Sequence, residues 1–389
     1  MPNRAARLDK TPPYLFGEIA KQKAAALAQG RDLIDFGIGD PDQPTPQPII
    51  DALARFAQQP DTHRYDETPQ GDPILMQAVA DWYQRLYGVP IDPASEALLL
   101  IGSKEGLAHL AWAYIEEGDL SLVPDPAYTV YEINTRMAGG DVYRMPLLAE
   151  NGFLPDLSDI PTDIAKRAKL LWLNYPNNPT GAVATEAFYA DAVAFAKEYD
   201  LLIVNDAAYS QVCYGGYRHP SLLQIDGARE RTIEFNSLSK MYNMTGWRVG
   251  FAAGSSDAIA NLNKMKSFVD SKQFAALSRT AAWALSHADN TETFALYEKR
   301  LDILCTGLRS LGFDVATPRA TFYVWCPTPA GMDSITFASR LMDAGILAIP
   351  GIGYGQHGDK YVRFSVTVAG DQNGERVAEA VERMRIHFN

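Results

Sequence analysis

The sequence lacks two features that would place it in a special class of protein. No apolar run reaches the roughly 18 residues that a membrane-spanning helix requires. Basic residues are not in excess, since the formal net charge is −12, and nucleic-acid phosphates attract a basic surface. We therefore expect no membrane-spanning segment and no nucleic-acid partner.

Cysteine is also scarce. The three cysteines, Cys213, Cys305 and Cys326, are widely spaced and form neither a Cys-x-x-Cys pair nor a Cys/His ligand pattern. This usage fits a reducing compartment and predicts no disulfide framework and no metal site. The first residues lack the apolar segment of a secretory signal, so we expect a cytoplasmic protein.

What the sequence does contain is a regular alternation of strand-like and helical segments. Its 389 residues exceed the roughly 250–300 at which a single core stops growing, so two domains are expected. From about residue 97, short apolar runs of strand length alternate with helical periodicity. Such alternation is typical of an α/β protein with a doubly wound, mostly parallel sheet. The predicted strands are Ala97–Ile101, Leu120–Val123, Leu170–Leu173, Leu201–Val204, Thr232–Phe235 and Val249–Ala253.

A smaller α+β unit is predicted after a long helical stretch at 256–311. Its strands are expected at Phe313–Val315, Thr321–Cys326, Ile346–Ile349 and Tyr361–Ser365, and an earlier strand near Leu33–Phe36 is expected to join them. These assignments predict a large domain at 45–285. The second domain is then discontinuous and consists of 1–44 and 286–389.

The residues that directly follow the predicted strands are candidates for a ligand site, because doubly wound sheets bind ligands at the carboxyl ends of their strands. Among them Lys240 is the candidate for the chemistry, although a lysine in a loop of small residues is more often a solvated surface charge. The segments are Gly102–Lys104, Asp125–Tyr128, Asn174–Gly181, Asn205–Tyr209 and Asn236–Lys240.

Five motifs in chain order resemble those of the class I aminotransferases, which have the aspartate aminotransferase fold and depend on pyridoxal 5′-phosphate (PLP). They are Asn174–Gly181, Asn205–Tyr209, Ser237–Lys240, Gly246–Gly250 and Tyr361–Phe364. Four further stretches look like the LL-diaminopimelate aminotransferase branch, namely Pro12–Phe16, Gly37–Asp42, Leu100–Gly106 and Ala320–Trp325. The resemblance spans nearly the whole chain.

The resemblance implies roles for the residues around the cofactor ring. Lys240 would attach covalently to the cofactor's aldehyde and later carry the proton of the reaction. Asp206 would pair with the protonated pyridine nitrogen, although an aspartate that caps a turn is the alternative. Tyr209 and Asn178 would hydrogen-bond the ring's phenolic oxygen, and Tyr128 would stack on the ring or belong to the core.

The resemblance also implies a phosphate site at the start of a helix. Free backbone N–H groups at Ser103 and Lys104 would favour an anion there. Ser237, Ser239 and Arg248 would complete the site, with the arginine suited to a two-pronged contact. Tyr65 would reach the phosphate of a neighbouring subunit, which implies a homodimer.

For the substrate, the resemblance assigns the α-carboxylate to Arg363, with Gly39 and Asn178 as additional donors. An internal salt bridge is the alternative for an arginine among apolar neighbours. Lys104 matches a lysine that the branch brings near the far end of the substrate. Glu67 is a candidate contact for that end, but its register differs from the branch pattern.

The expected function is transfer of an amino group between an amino acid and a 2-oxo acid. By resemblance the pair is LL-2,6-diaminopimelate or tetrahydrodipicolinate with glutamate or 2-oxoglutarate, as in lysine biosynthesis. The alternatives are an aminotransferase for aspartate, alanine or aromatic amino acids, a PLP-dependent lyase, or a PLP-binding regulatory module. The acidic chain argues against the last, since such regulators carry a basic DNA-binding domain.

One motif is rejected. Residues 353–358 match the dinucleotide fingerprint Gly-x-Gly-x-x-Gly, but a strand-like segment follows them where the fingerprint requires a helix. Nicotinamide binding is therefore not expected.

Overall fold

The computed structural model describes residues 1–10 and 15–388, so most of the predicted marker stretch Pro12–Phe16 lies outside the described residues. The strands are β1 (Ile34–Asp35), β2 (Ala97–Leu100), β3 (Leu120–Asp125), β4 (Asp141–Pro146), β5 (Ala168–Leu173), β6 (Leu202–Asp206), β7 (Thr232–Ser237), β8 (Gly250–Gly254), β9 (Tyr323–Pro327), β10 (Ile346–Leu347), β11 (Ile349–Pro350) and β12 (Tyr361–Ser365).

Helices occupy most of the remaining described chain. They are α1 (Leu15–Ala28), α2 (Gln47–Phe56), α3 (Pro73–Tyr87), α4 (Ser103–Tyr114), α5 (Val130–Ala138), α6 (Thr162–Arg167), α7 (Glu186–Tyr199), α8 (Leu238–Met241), α9 (Ser256–Lys266), α10 (Ala275–His287), α11 (Thr291–Ser310), α12 (Ser334–Asp343) and α13 (Glu375–Phe388). Among these described helices, none has both the length and the apolar character needed to span a bilayer.

A seven-stranded sheet forms the larger part of the molecule, in the order β2-β8-β7-β6-β5-β3-β4. All neighbouring pairs are parallel except those of β8, which runs antiparallel to β2 and β7. Helices cover both faces and bury β2, β3 and β7 completely, which is why β2 reads as a continuous apolar run. The predicted mostly parallel sheet is confirmed.

One strand of this sheet was not predicted. Among the described strands, β4 lies at the edge of the sheet and has β3 as its one neighbour. Because it is largely accessible, with Asp141 exposed at its start, its sequence carries polar residues and shows no apolar run.

Local sequence rules account for where helix α3 begins and ends. Asp72 caps α3 by accepting a hydrogen bond from the N–H of Ile74, and Pro73 occupies the first helical position. Gly88 ends the helix in the left-handed conformation, with φ of 67°. The apolar face of α3 then packs against α10 and on β2.

The remaining strands form two small sheets. Strands β11, β12 and β9 make an antiparallel sheet, and β1 pairs in parallel with β10, with Ile34 opposite Ile346. The early strand therefore joins the C-terminal part of the chain, as predicted. The predicted domain limits, 45–285 against 1–44 and 286–389, stay a prediction.

The predicted strand at Phe313–Val315 is wrong. This segment follows α11 directly and closes its end, since the N–H of Phe313 donates to the carbonyl of Leu308. Arg309 then binds the carbonyl of Val315. The backbone groups of the segment are thus used by the helix end, and its apolar side chains pack without a sheet partner.

A buried ion pair fixes the loop that follows β1. Arg300, on α11, has no exposed surface and binds both carboxylate oxygens of Asp42 at 2.9 and 3.0 Å. The same guanidinium donates to the carbonyls of Val366 and Asp371. This contact holds the loop containing Gly37 and Gly39 against the C-terminal unit.

We expect Arg300→Met to lower the free energy of unfolding by about 3–5 kcal/mol, because it leaves the Asp42 carboxylate buried without its partner. Urea unfolding measures this change. The matched control is Lys299→Met, an exposed neighbour on the same helix, which should stay within about 0.5 kcal/mol. Equal effects of the two substitutions would contradict the role of the buried pair.

Candidate active site

A cavity of about 310 Å³ opens at the carboxyl ends of the large-sheet strands and is closed on the other side by β9 and β12. Twelve of the predicted site residues line this one cavity. They are Gly39, Ser103, Lys104, Tyr128, Asn178, Asp206, Tyr209, Ser237, Ser239, Lys240, Arg248 and Arg363. The predicted convergence of the strand ends is therefore seen in the structure.

Two predicted residues are not in this cavity. The side chain of Tyr65 is 81 % exposed, and neither Tyr65 nor Glu67 lines the cavity. The prediction for Tyr65 concerned a neighbouring subunit, and it stays a prediction.

The lysine of the site lies on the short helix α8, directly after β7. Its Nζ donates to the carbonyl of Gly39 at 2.8 Å. Lys240 lines the cavity, and burial of its amine away from water lowers its pKa to about 8. Asp40 opposes the shift, while Arg363 and Arg248 add to it. Lys240 is thus a nucleophilic amine near neutral pH.

A carboxylate lies deep in the cavity at the end of β6. Burial raises the pKa of Asp206 to about 6, and hydrogen bonds from Tyr131 and Ala208 oppose this rise. The Tyr131 hydroxyl donates to Oδ2 at 2.8 Å, and the Ala208 N–H approaches Oδ1 at 3.3 Å. Since both donors are neutral, the site can accept a cationic group beside Asp206.

Hydrogen-bond donors gather at the start of α4. Gly102 precedes the helix with φ of 75°, a conformation that favours glycine, and Nη2 of Arg248 lies 2.2 Å from where its Cβ would be, so the guanidinium lies against this backbone. The Ser239 hydroxyl is buried and has no hydrogen-bond partner among the described residues. Its neighbour Ser237 caps α8. The helix end, the hydroxyls and the guanidinium together suit an anion.

A second guanidinium enters from the small antiparallel sheet. Arg363 is buried in β12, where Nη1 donates to Oδ1 of Asn178 at 2.8 Å and Nη2 to the carbonyl of Gly37 at 2.7 Å. The partners in these two bonds are neutral oxygens. The arginine is therefore oriented by the chain and can receive a carboxylate from the cavity.

Four further polar residues line the cavity, namely Tyr131, Asn174, Thr245 and Tyr323. Asn174 begins a predicted candidate segment and Tyr323 lies in a family marker stretch, but the sequence assigned no role to any of the four. Asn174 joins the loop of Asn178 to the end of β6, because its amide donates to the Asp206 carbonyl and its oxygen accepts from the Asn178 N–H. The sequence signal for Tyr131 is its place three residues after the predicted site residue Tyr128, in the first turn of α5.

The comparison with known families gives this cavity a context. The family model described as aminotransferase class I and II matches residues 31–383. The chain belongs to this family. The protein is thus an aminotransferase, and the predicted family is confirmed.

Individual relatives support the same assignment. The chain is 51 % identical over 384 residues to the LL-diaminopimelate aminotransferase of Moorella thermoacetica, covering 98 % of this chain and 97 % of the relative. It is 52 % identical over 385 residues to the enzyme of that name from Syntrophobacter fumaroxidans, covering 98 % of both chains. The predicted resemblance to this branch is confirmed.

A solved structure confirms the predicted fold. The aspartate aminotransferase of Thermus thermophilus with maleate has a TM-score of 0.90 to this chain at 30 % identity, with 100 % of both chains covered. The large sheet, the two small sheets and the cavity between them therefore belong to the aspartate aminotransferase fold.

We expect the amine of Lys240 to react with a small aldehyde at a rate that rises with pH and levels off above about pH 8, because only the neutral amine is nucleophilic and burial lowers its pKa to about 8. Borohydride trapping on the ligand-free aminotransferase, followed by peptide mass spectrometry, measures this rate. An exposed lysine titrates near 10.4, so its labelling continues to rise.

Asp40→Asn is the matched control, since the Asp40 carboxylate favours the protonated amine. Its removal should move the plateau to lower pH. If the labelling rate of Lys240 depends on pH as that of exposed lysines does, in both the wild type and Asp40→Asn, the lowered pKa of Lys240 is contradicted.

Proposed function

We propose that this aminotransferase binds PLP through the residues of the cavity and transfers an amino group between LL-2,6-diaminopimelate or tetrahydrodipicolinate and glutamate or 2-oxoglutarate. The observation that carries the cofactor is the meeting of Lys240, Asp206 and Arg363 in one cavity. The substrate pair is supported by the name and the 51 % identity of the Moorella thermoacetica relative. On this proposal the protein acts in lysine biosynthesis.

Two observations favour PLP as the bound group. Asp206 is a buried carboxylate whose hydrogen-bond donors among the described residues are neutral, and a protonated pyridine nitrogen would supply the missing positive charge. Ser239 has a buried hydroxyl that finds no partner within the described chain, and a phosphate oxygen would accept its proton. The positive group of the ligand and its anionic group would thus each meet a complementary site.

When bound, PLP supplies an aldehyde that receives the amino group and a ring that withdraws electrons. The chain contributes the remaining steps. The Lys240 amine would hold the cofactor by condensing with its aldehyde, with release of water, and when freed it would carry a proton to and from the substrate Cα. Asp206 would hold the ring nitrogen in its protonated form, while Tyr209 and Asn178 would donate to the ring's oxygen. Arg363 orients the substrate α-carboxylate.

The far end of the substrate would lie toward the open side of the cavity. Lys104 is exposed there, as is Ile38, and both line the cavity. A long substrate with a second charged group can therefore extend past Lys104 toward solvent or toward a neighbouring subunit. The alternative amino donors are aspartate, alanine and aromatic amino acids.

We expect wild-type protein loaded with PLP to react faster in a single turnover with LL-2,6-diaminopimelate than with aspartate, alanine or phenylalanine. Each donor is tested alone, without glutamate. Stopped-flow absorbance at equal donor concentrations measures the rates. A faster reaction of aspartate, alanine or an aromatic donor would overturn the substrate assignment.

Lys240→Ala should reduce the rate at least about a thousandfold by removing the proton carrier, whereas Lys264→Ala, an exposed lysine on α9, should not.

We also propose that the active form is a homodimer in which Tyr65 of one subunit reaches the phosphate of the other. The segment that carries Tyr65 packs beside residues 268–274, because Lys272 binds the carbonyl of Asp66 and the rings of His63 and Phe274 are 5.2 Å apart. Phe268 in this second segment is 85 % exposed. Exposed apolar residues gathered in this way are typical of a protein interface.

This surface borders the phosphate site. The Gln273 amide donates to the carbonyls of Leu100 and Arg248, at 3.2 and 3.4 Å. A second copy that covers the exposed residues would therefore lie beside Ser103 and Arg248. Its own Tyr65 could then complete the set of donors around the anion.

We expect Tyr65→Phe to weaken PLP retention by about tenfold or more, since one hydrogen bond to a charged group contributes about 1.5–3 kcal/mol. Equilibrium dialysis measures retention, and sedimentation measures the mass against twice 42.8 kDa. The control is Tyr199→Phe, a half-buried tyrosine on α7, which should retain PLP normally. A monomeric loaded enzyme, or unchanged retention in Tyr65→Phe, would contradict the shared site.

A further inference from the structure

One tyrosine in the cavity contacts both the proposed cofactor residues and the proposed carboxylate residue. Tyr323 begins β9 and is 1 % exposed. Its hydroxyl lies 2.7 Å from the hydroxyl of Tyr209. The guanidinium carbon of Arg363 lies 4.2 Å from the centre of the Tyr323 ring. A single side chain thus joins the two halves of the site.

The absence of a side chain at Gly39 leaves room for the Tyr323 hydroxyl. A Cβ on Gly39 would lie 1.9 Å from the Tyr323 oxygen, so any larger residue would displace the tyrosine. The carbonyl of the same Gly39 accepts the hydrogen bond from Lys240. The Tyr323 hydroxyl is therefore enclosed by the backbone that holds the lysine and by Tyr209.

The backbone before Tyr323 is strained. Thr321 has φ of 65°, a left-handed conformation that is rare for a β-branched residue and is strained. Its N–H donates to the carbonyl of Val212 at 2.8 Å, and its hydroxyl accepts from the Tyr323 N–H at 3.1 Å. Strain of this kind persists where the surroundings require one orientation, and here the turn directs the Tyr323 ring into the cavity.

The hydroxyl pair has a defined direction when the cofactor is bound. Tyr209 has one proton, and on the proposed function it donates this proton to the ring oxygen of PLP. Its own oxygen then remains as an acceptor for the neighbouring Tyr323 hydroxyl. The two bonds form a chain in which the second strengthens the first.

We propose that Tyr323 is a positioning residue with two separable tasks: its hydroxyl donates to Tyr209 and strengthens the bond of Tyr209 to the cofactor, and its ring supports the Arg363 guanidinium that binds the substrate carboxylate. This proposal rests on the proposed function. The first task requires the hydroxyl oxygen of Tyr323, and the second requires the face of its aromatic ring. Different substitutions of Tyr323 therefore remove them separately.

The test compares Tyr323→Phe with Tyr323→Leu in the PLP-loaded protein. The pH titration of the cofactor's absorbance reports the Tyr209 bond, and calorimetric binding of maleate, a dicarboxylate that does not react, reports Arg363. A donor to the ring oxygen favours the form of the cofactor with more negative charge. A weaker donor therefore moves the midpoint of the titration to higher pH.

Tyr323→Phe should raise the midpoint by about 0.5–1 pH unit, as expected for the loss of one neutral hydrogen bond, and leave the maleate affinity within about twofold. Tyr323→Leu should raise the midpoint similarly and also weaken maleate about fivefold, since it removes the cation–π contact. Tyr214→Phe removes another buried hydroxyl in the same core, and should change neither readout.

The outcomes distinguish a failure of the proposal for Tyr323 from a failure of the proposed function. An unchanged midpoint in Tyr323→Phe, with normal cofactor binding in the wild type, overturns the task of the hydroxyl. Equal maleate binding by the Leu and Phe variants overturns the task of the ring. A wild-type protein that retains no PLP overturns the proposed function and this proposal with it.

Discussion

The removal of three charged groups from water, within one cavity, is the constraint on which the rest of the structure depends. The amine of Lys240, the carboxylate of Asp206 and the guanidinium of Arg363 each lie where an isolated charge is costly. The shifted pKa values of the lysine and the aspartate are the measurable result of that cost. A ligand that carries charges of the matching signs would lower it, and binding and chemistry therefore use the same groups.

Two sheets from separate parts of the sequence are needed to build such a cavity. The large sheet brings Asp206 and Lys240 to neighbouring strand ends, and the small antiparallel sheet brings Arg363 to face them. The loop after β1 closes the remaining side and is held by the buried pair of Arg300 and Asp42. Because Gly37 and Gly39 accept hydrogen bonds from Arg363 and Lys240, this loop joins the two walls.

The sequence allowed most of the large sheet and most of the cavity to be predicted, because buried parallel strands leave apolar runs and their ends gather polar residues. The edge strand β4 was missed, since an accessible strand needs no apolar run. Phe313–Val315 was wrongly assigned, since three residues can look strand-like when they only close a helix. Tyr323 was noted as part of a family marker without a role, because its task depends on contacts with Tyr209 and Arg363 that are distant in sequence.

The rejected glycine fingerprint shows how a motif can require its glycines for a reason other than phosphate binding. A Cβ on Gly355 would lie 1.9 Å from Oδ1 of Asp125, at the end of β3. The backbone N–H and Nδ1 of His357 both approach the same carboxylate, at 3.2 and 3.1 Å. The ring centre of Tyr354, the residue before Gly355, lies 5.1 Å from the guanidinium carbon of Arg363. Gly355 thus lets the C-terminal unit approach the large sheet closely, and this approach brings Arg363 within reach of the same cavity as Lys240.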